Sequence, residues 1–364
     1  MQDKANFSQL IQTLDDKFNK GLFTEMKLIC NQILNQDPKH TKALCYKGIH
    51  LRREKRYEEA LECTNQALEI DPEYPRAWNS KGNISKNMKK LETALECYRK
   101  AVSLDPSYEN AFSNIGILLY ELSRFDEARE ILLKTLELNK NHSNALFYYA
   151  NCQMKIRKYE EAIDFYLKLL ELKDSSSATI INLTSCYMRL NQFTKALDFF
   201  IRGRDVCKDE ESFFINHGIC LINLKRYFES IKHFEDFLVR FPESSQAFNF
   251  LGVCYWKLKN YPKAKENLER SISLMKKESV QVYVNLGQVL FESGDCLEAI
   301  NVYKKALSIE PEYYIISFNL GLCYYRSKEL ELASEHYQKS LEQKTGFRSA
   351  IINLIIVNKR LKKP

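Results

Sequence analysis

Between Trp78 and Pro106 the apolar positions change face twice. Trp78, Gly82 and Ile84 share one helical face, at i, i+4 and near i+7 spacing. A polar stretch from Lys86 to Lys90 follows, and then Ala94, Leu95, Tyr98, Ala101 and Val102 make a second face of the same period. Asp105-Pro106 closes the unit, because proline cannot continue a helix. The pattern predicts helix, short turn, helix, short turn over residues 75–108.

The same unit returns along the chain. One ladder of small residues runs Gly48, Gly82, Gly116, Ala150, Thr184, Gly218, Gly252, Gly287, Gly321. A second runs Ala60, Ala94, Ala128, Ala162, Ala196, Ser230, Ala264, Ala299, Ala333. Successive members are 34 residues apart, except for one step of 35 in each ladder, from 252 to 287 and from 264 to 299. A period of this length marks a helical solenoid, not two or three globular domains. Two antiparallel helices that cross closely need small residues at the crossing, with bulkier ones such as Trp78 and Tyr98 filling the gaps beside it. Glycine inside a helix costs ~1 kcal/mol against alanine, so its recurrence implies that close packing offsets the cost.

The unit resembles the tetratricopeptide repeat, whose pattern sets a large apolar residue, a Leu-Gly pair, alternating aromatics and alanines, and a proline at fixed offsets. Trp78, Gly82, Ala94, Tyr98, Ala101 and Pro106 match it, as do Tyr283, Leu286, Gly287, Ala299, Tyr303, Ala306 and Pro311. The resemblance implies an all-α fold: a right-handed α-solenoid of tandem helix-turn-helix repeats, with the first helix of each pair lining the concave side. Ten repeats are expected, at 7–40, 41–74, 75–108, 109–142, 143–176, 177–210, 211–244, 245–279, 280–313 and 314–347. The first and sixth depart most from the pattern, and the eighth carries one extra residue in the loop around Lys276–Ser279. A lone apolar helix with a basic tail follows, over 348–364. Prolines support these boundaries: Pro38, Pro72, Pro106, Pro242 and Pro311 all fall in the closing turn, while Gly21 and Gly294 fall in the turn inside the repeat.

Composition removes several classes of function. Five of the eleven cysteines, Cys152, Cys186, Cys220, Cys254 and Cys323, stand two residues after the small ladder. They are one structural position in five repeats, and helix layers roughly 10 Å apart hold Cα atoms beyond the ~7 Å reach of a disulfide. Buried free thiols in a reducing compartment are expected. The six histidines lack metal-binding spacing, and there is no Gly-rich phosphate loop or Gly-x-Ser-x-Gly. No enzyme, cofactor or metal is expected. The net charge of +7 is concentrated after Glu342, where Lys344, Arg348, Lys359, Arg360, Lys362 and Lys363 meet no acid. Residues 1–342 therefore sum to +1, too little to favour nucleic acid. No apolar run reaches the ~20 residues of a membrane span, and the start Met-Gln-Asp-Lys-Ala-Asn lacks the apolar core of a secretory signal. A cytoplasmic place is expected, with a ciliary or nuclear one open to it.

Three groups are candidates for partner contact. Asn114, Asn182, Asn216, Asn285, Asn319 and Asn353 precede the small ladder by two residues. A row of amides, each donor and acceptor, can bond the backbone of an extended peptide whatever its sequence. The row is similar to the asparagine ladder in the superhelix of O-linked N-acetylglucosamine transferase. A surface of solubilising asparagines is the competing reading. Tyr120, Trp256, Phe291 and Tyr325 belong to an apolar stripe four residues after the ladder, with Met154, Met188 and Ile222. They serve either as binding anchors or as packing between neighbouring first helices. In the last helix, Ile351, Ile352, Ile355 and Ile356, beside Lys359 and Arg360, are expected to dock a partner or a second copy of the chain. The function expected is a non-catalytic scaffold that holds a protein or extended peptide in its groove within a multiprotein assembly. The alternatives are a targeting subunit or fragment of a modifying enzyme such as a glycosyltransferase, and an RNA-binding helical repeat.

Overall fold

A computed structural model describes residues 2–173 and 176–361, with side chains from residue 7 onward. Lys362 and Lys363 of the basic tail lie outside the described residues. Among the described residues the regular structure is entirely helical. The helices form two compact units that divide between Cys186 and Tyr187, inside one helix.

The first unit runs α1 (Gln2–Asn19), α2 (Phe23–Gln36), α3 (Thr41–Arg53), α4 (Tyr57–Ile70), α5 (Pro75–Asn87), α6 (Leu91–Leu104), α7 (Glu109–Glu121), α8 (Phe125–Leu138), α9 (Ser143–Lys155), α10 (Tyr159–Glu171) and most of α11 (Ser177–Arg189). The second continues with α12 (Phe193–Arg202), α13 (Glu211–Asn223), α14 (Tyr227–Arg240), α15 (Ser245–Lys257), α16 (Tyr261–Leu274), α17 (Val280–Ser293), α18 (Cys296–Ile309), α19 (Tyr314–Arg326), α20 (Leu330–Gln343) and α21 (Arg348–Leu361). Within each unit, helices pack chiefly on their neighbours in sequence, which makes each a stretch of α-solenoid.

The crossing inside each hairpin explains the small residues. A Cβ added to Gly82 would meet the Tyr98 ring at 2.5 Å, and one at Gly116 would meet Leu132 at 2.5 Å. The second unit repeats the arrangement, with Gly252 against Leu268 and Gly287 and Gly321 against Tyr303 and Tyr337, all at 2.5 Å. In every pair the partner lies sixteen residues further on, from 82 to 98 as from 321 to 337. The covering side chains Tyr98, Tyr303 and Tyr337 are almost wholly buried, and Tyr303 and Tyr337 belong to one core that continues from α16 to α21.

The turns are as regular as the crossings. Backbone with positive φ recurs at Gly21, Lys55, Lys89, Ser123, Arg157, Asn191, Lys225, Lys259, Gly294 and Lys328, in the turn just after each first helix. Lys89 donates its N–H to Lys86 O at 3.0 Å and Lys90 donates to Ser85 O at 2.9 Å, a Schellman closure that satisfies the free carbonyls. Closing turns use a side-chain acceptor: Asp71 Oδ1 takes the Glu73 N–H at 3.0 Å and Asp105 Oδ1 the Ser107 N–H at 2.9 Å. His40 and His142 cap α3 and α9, accepting the N–H of Ala43 and Ala145 through Nδ1. The shortest of the described helices is α12, at ten residues; it stops at Gly203, where its neighbours in the array run to thirteen or fourteen.

Candidate functional site

The asparagines lie on the first helices and bond mostly to other protein groups. In the first unit Asn114 Nδ2 donates to Asn79 Oδ1 at 2.8 Å, and Asn79 Nδ2 donates to the Tyr108 hydroxyl at 3.3 Å. Asn182 Nδ2 donates to Asn151 Oδ1 at 2.9 Å. In the second unit Asn285 Nδ2 donates to Asn249 Oδ1 at 3.0 Å and accepts from Gln281 at 3.0 Å. Asn319 and Asn353 bond the hydroxyls of the buried Tyr303 and Tyr337, whose acidity burial suppresses. Asn114, Asn182 and Asn285 thus fasten their helix to the preceding first helix, and Asn319 and Asn353 to the preceding second helix, so each amide keeps only part of its bonding capacity for a ligand.

The apolar stripe has a second set of contacts. Trp256 Nε1 donates to Glu292 Oε2 at 2.9 Å. Phe291 O accepts from Arg326 Nη1 at 2.7 Å, and that guanidinium lies 5.4 Å from the Phe291 ring. Arg360 stands 4.9 Å over Tyr325. Lys86, at the equivalent place in the first unit, pairs with Glu121 at 2.7 Å. In each case the stripe residue meets the residue after the stripe position on the next first helix. Tyr120 packs edge-on against Tyr148 and tilts against Phe125. All four aromatics are half-buried, so each still presents an edge to solvent.

One asparagine stands in a different setting. Asn216 lines a cavity of about 640 Å³ in the second unit, between α13, α15 and the start of α17. Ile215, Ile219, Phe250 and Val282 supply its apolar wall, and Asn249 and Gln246 add amides. Glu211 and Glu243 stand at one rim and Lys276 and Lys277 at another. Ser244 Oγ donates to Glu211 Oε1 at 2.9 Å. The second rim is the loop that carries the extra residue of the eighth repeat. Glu278 in that loop is held by Lys305 at 2.8 Å, a hydrogen bond that keeps its carboxyl below the usual range.

Two further clusters escaped the sequence reading. On α1, α3 and α5, Tyr46 donates to Asp15 Oδ1 at 2.8 Å, Lys42 pairs with the same carboxylate, and Arg76 donates to the Tyr46 hydroxyl. Asp15, Lys42, Arg76 and Tyr108 surround a cavity of about 470 Å³. Their residue types follow no period, so no sequence signal announces them. In the second unit the rings of His217 and His233 lie 4.3 Å apart. Burial, helped by His233, Arg204 and Arg226, pushes His217 down to about 3. A signal for this pair was present: Gly218 and Phe234 are a crossing pair, and each histidine precedes one of them.

Among the described residues no group of three His, Cys, Asp or Glu side chains could hold a metal ion. No described helix is long and apolar enough to cross a membrane. Among the described residues none of the eleven cysteines is in a disulfide, and nine are buried. In α21, Ala350 and Val357 are fully buried, while Ile351, Ile352, Ile355 and Ile356 are between 39 % and 56 % exposed, and Lys359 and Arg360 are exposed too.

Helix hairpins of 34 residues, closed on a small residue and stacked in order, define a helical-repeat interaction protein. Family models described as tetratricopeptide repeat match residues 41–74, 63–96, 243–312 and 278–346, and one described as anaphase-promoting complex, cyclosome, subunit 3 matches 87–169. Together the matches cover more than half of the chain, which is a tetratricopeptide-repeat protein. It is similar to BBSome complex member BBS4 of Bos taurus, 35 % identical over 91 residues, which is 25 % of this chain and 17 % of that protein. It is also similar to anaphase-promoting complex subunit CDC16 of Saccharomyces cerevisiae, 27 % identical over 115 residues, 30 % of this chain and 14 % of the relative. The matched stretch is thus less than a fifth of either relative's length. Among solved structures, pilF of Pseudomonas aeruginosa superposes with a TM-score of 0.52 at 19 % identity, covering 58 % of this chain and 97 % of that one, a likeness of fold alone.

Proposed function

We propose that this chain is a non-catalytic scaffold that holds an extended segment of a partner protein on the face of its first helices, as one member of a multiprotein assembly. The observation that carries the reading is the cavity between α13, α15 and α17, where amides of Asn216, Asn249 and Gln246 stand beside an apolar wall. Amides bond a peptide backbone in either sense, and the wall takes an apolar side chain. Glu211 and Glu243 on one rim and Lys276 and Lys277 on another favour a peptide with charges of both signs. The half-buried edges of Trp256 and Phe291 extend the surface, and Tyr120, Asn114 and Asn182 offer a second, weaker stretch in the first unit. The similarity to a BBSome member and to a subunit of the anaphase-promoting complex supports the assembly part of the reading. A cytoplasmic location belongs to the same proposal.

The test is capture of partner from the native cell with a photo-crosslinking residue in place of Asn216. A crosslinked protein that disappears when Phe250→Asp is added supports the cavity as the seat. Equal capture from a probe at Leu28, which is exposed on α2, would sink it.

A further inference from the structure

The small ladder has a tenth place. Counting 34 residues on from Gly321 reaches Ile355, on α21. Everywhere else glycine, alanine or threonine stands there, and in the glycine hairpins the second helix lies so close that even a Cβ would clash. Ile355 instead carries a full side chain and is 52 % exposed. A second helix of the ordinary kind cannot seat on it. The buried side of α21 is already occupied: Ala350 and Val357 are wholly covered, Leu354 packs on the core of the preceding hairpins, and Ser334 donates to Asn358 Oδ1 at 3.0 Å. The open side is a double ridge, Ile351 with Ile355 and Ile352 with Ile356, each pair four residues apart. Two parallel i, i+4 ridges form the kind of groove into which another helix packs.

Charge limits what that helix is. Arg348 stands at the start of the ridge and Lys359 and Arg360 at its end, all exposed, and the sequence has no acid after Glu342. A second α21 would bring like charges together at both ends in either orientation, which opposes self-pairing. We propose that the exposed face of α21 docks an amphipathic helix of another protein, one whose apolar stripe is flanked by acidic residues. The isoleucine ridges supply the area and the basic ends set the choice of partner.

The test uses two fluorescein-labelled helical peptides with the same leucine stripe, one ended by glutamates and one by lysines, titrated with the full chain and read by anisotropy. The glutamate peptide binds about tenfold tighter or better, and the difference shrinks as salt rises from about 50 to about 500 mM. Ile352→Asp with Ile355→Asp removes binding while circular dichroism stays unchanged, since both side chains are exposed. Arg348→Glu with Lys359→Glu inverts the preference between the peptides. Equal binding of the two peptides, binding of neither, or a concentration-dependent dimer that Ile355→Asp dissolves would each overturn the proposal.

Discussion

The first helices of the two units treat their polar residues differently. In the first unit Asp15, Lys42, Tyr46 and Arg76 bond one another, and Asn79 ties Asn114 to Tyr108. In the second unit a single extra residue between α16 and α17 accompanies a cavity with Lys276, Lys277, Glu211 and Glu243 around it. The hairpins beneath are the same in both, down to the glycine-to-aromatic crossing. A repeat with a fixed core can therefore vary its exposed face from self-bonded to open without altering the fold.

The largest effect should strike both units alike. Gly82→Val and Gly287→Val each drive a branched side chain into a buried tyrosine ring. Each should cost roughly 3 kcal/mol in urea denaturation, from overpacking and from valine's weak helix propensity. A large loss in one unit and none in the other would show that the hairpins are not equivalent and would remove the basis of the comparison.

Acid should separate the units. An ordinary histidine titrates at 6.5, whereas His217 in the fold is held at about 3, chiefly by burial, with His233, Arg204 and Arg226 adding to it. Below pH 6.5 the unfolded chain takes up a proton that folded His217 refuses. The stability due to neutral His217 is thus complete above that pH and falls as pH drops toward 3, by up to about 1.4 kcal/mol per pH unit. Carboxylates such as Glu54, held at about 2 chiefly by its hydrogen bond with Lys27, contribute only below their ordinary 4.5. Between pH 6 and 4.5, hydrogen exchange should show α13 and α14 loosening before the hairpins of the first unit. His217→Phe, stacked on Phe200, should flatten that dependence. An unchanged slope in the variant would assign the acid response elsewhere.

The smallest effect bears on the amides. Asn79→Ala removes partners from both Asn114 and Tyr108 and should cost about 1–2 kcal/mol in thermal or urea unfolding. Asn216→Ala, at the cavity, should change stability by no more than about 0.5 kcal/mol. Matching losses at the two sites would mean that the second unit is as self-bonded as the first.

The hairpins were legible in the sequence because their demand is steric and returns at every repeat. No side chain larger than threonine is found at the nine ladder positions from 48 to 321, so composition there is forced. The irregular loop was legible too, as a step of 35, but the cavity beside it was not: its lining comes from α13, α15 and the turn after α16, and no one segment shows it. The asparagine row and the aromatic stripe were visible as rows. What the sequence left open is how far each is occupied, and Asn114–Asn79, Asn285–Asn249 and Trp256–Glu292 show much of it taken by neighbouring helices. Asp15, Lys42 and Arg76 come from three hairpins that share no motif, so only the folded chain brings them together.

The repeated thiols have a use beyond filling space. Burial pushes Cys186 and Cys323 up to about 12 and Cys152, Cys220 and Cys254 to about 11, so in the closed hairpins they are almost entirely un-ionised and shielded from electrophiles. An alkylating reagent can reach each one only when its own hairpin opens. The chain thus carries a row of internal clocks, present in every hairpin but the one at 109–142, whose labelling rates would chart where along the array it breathes.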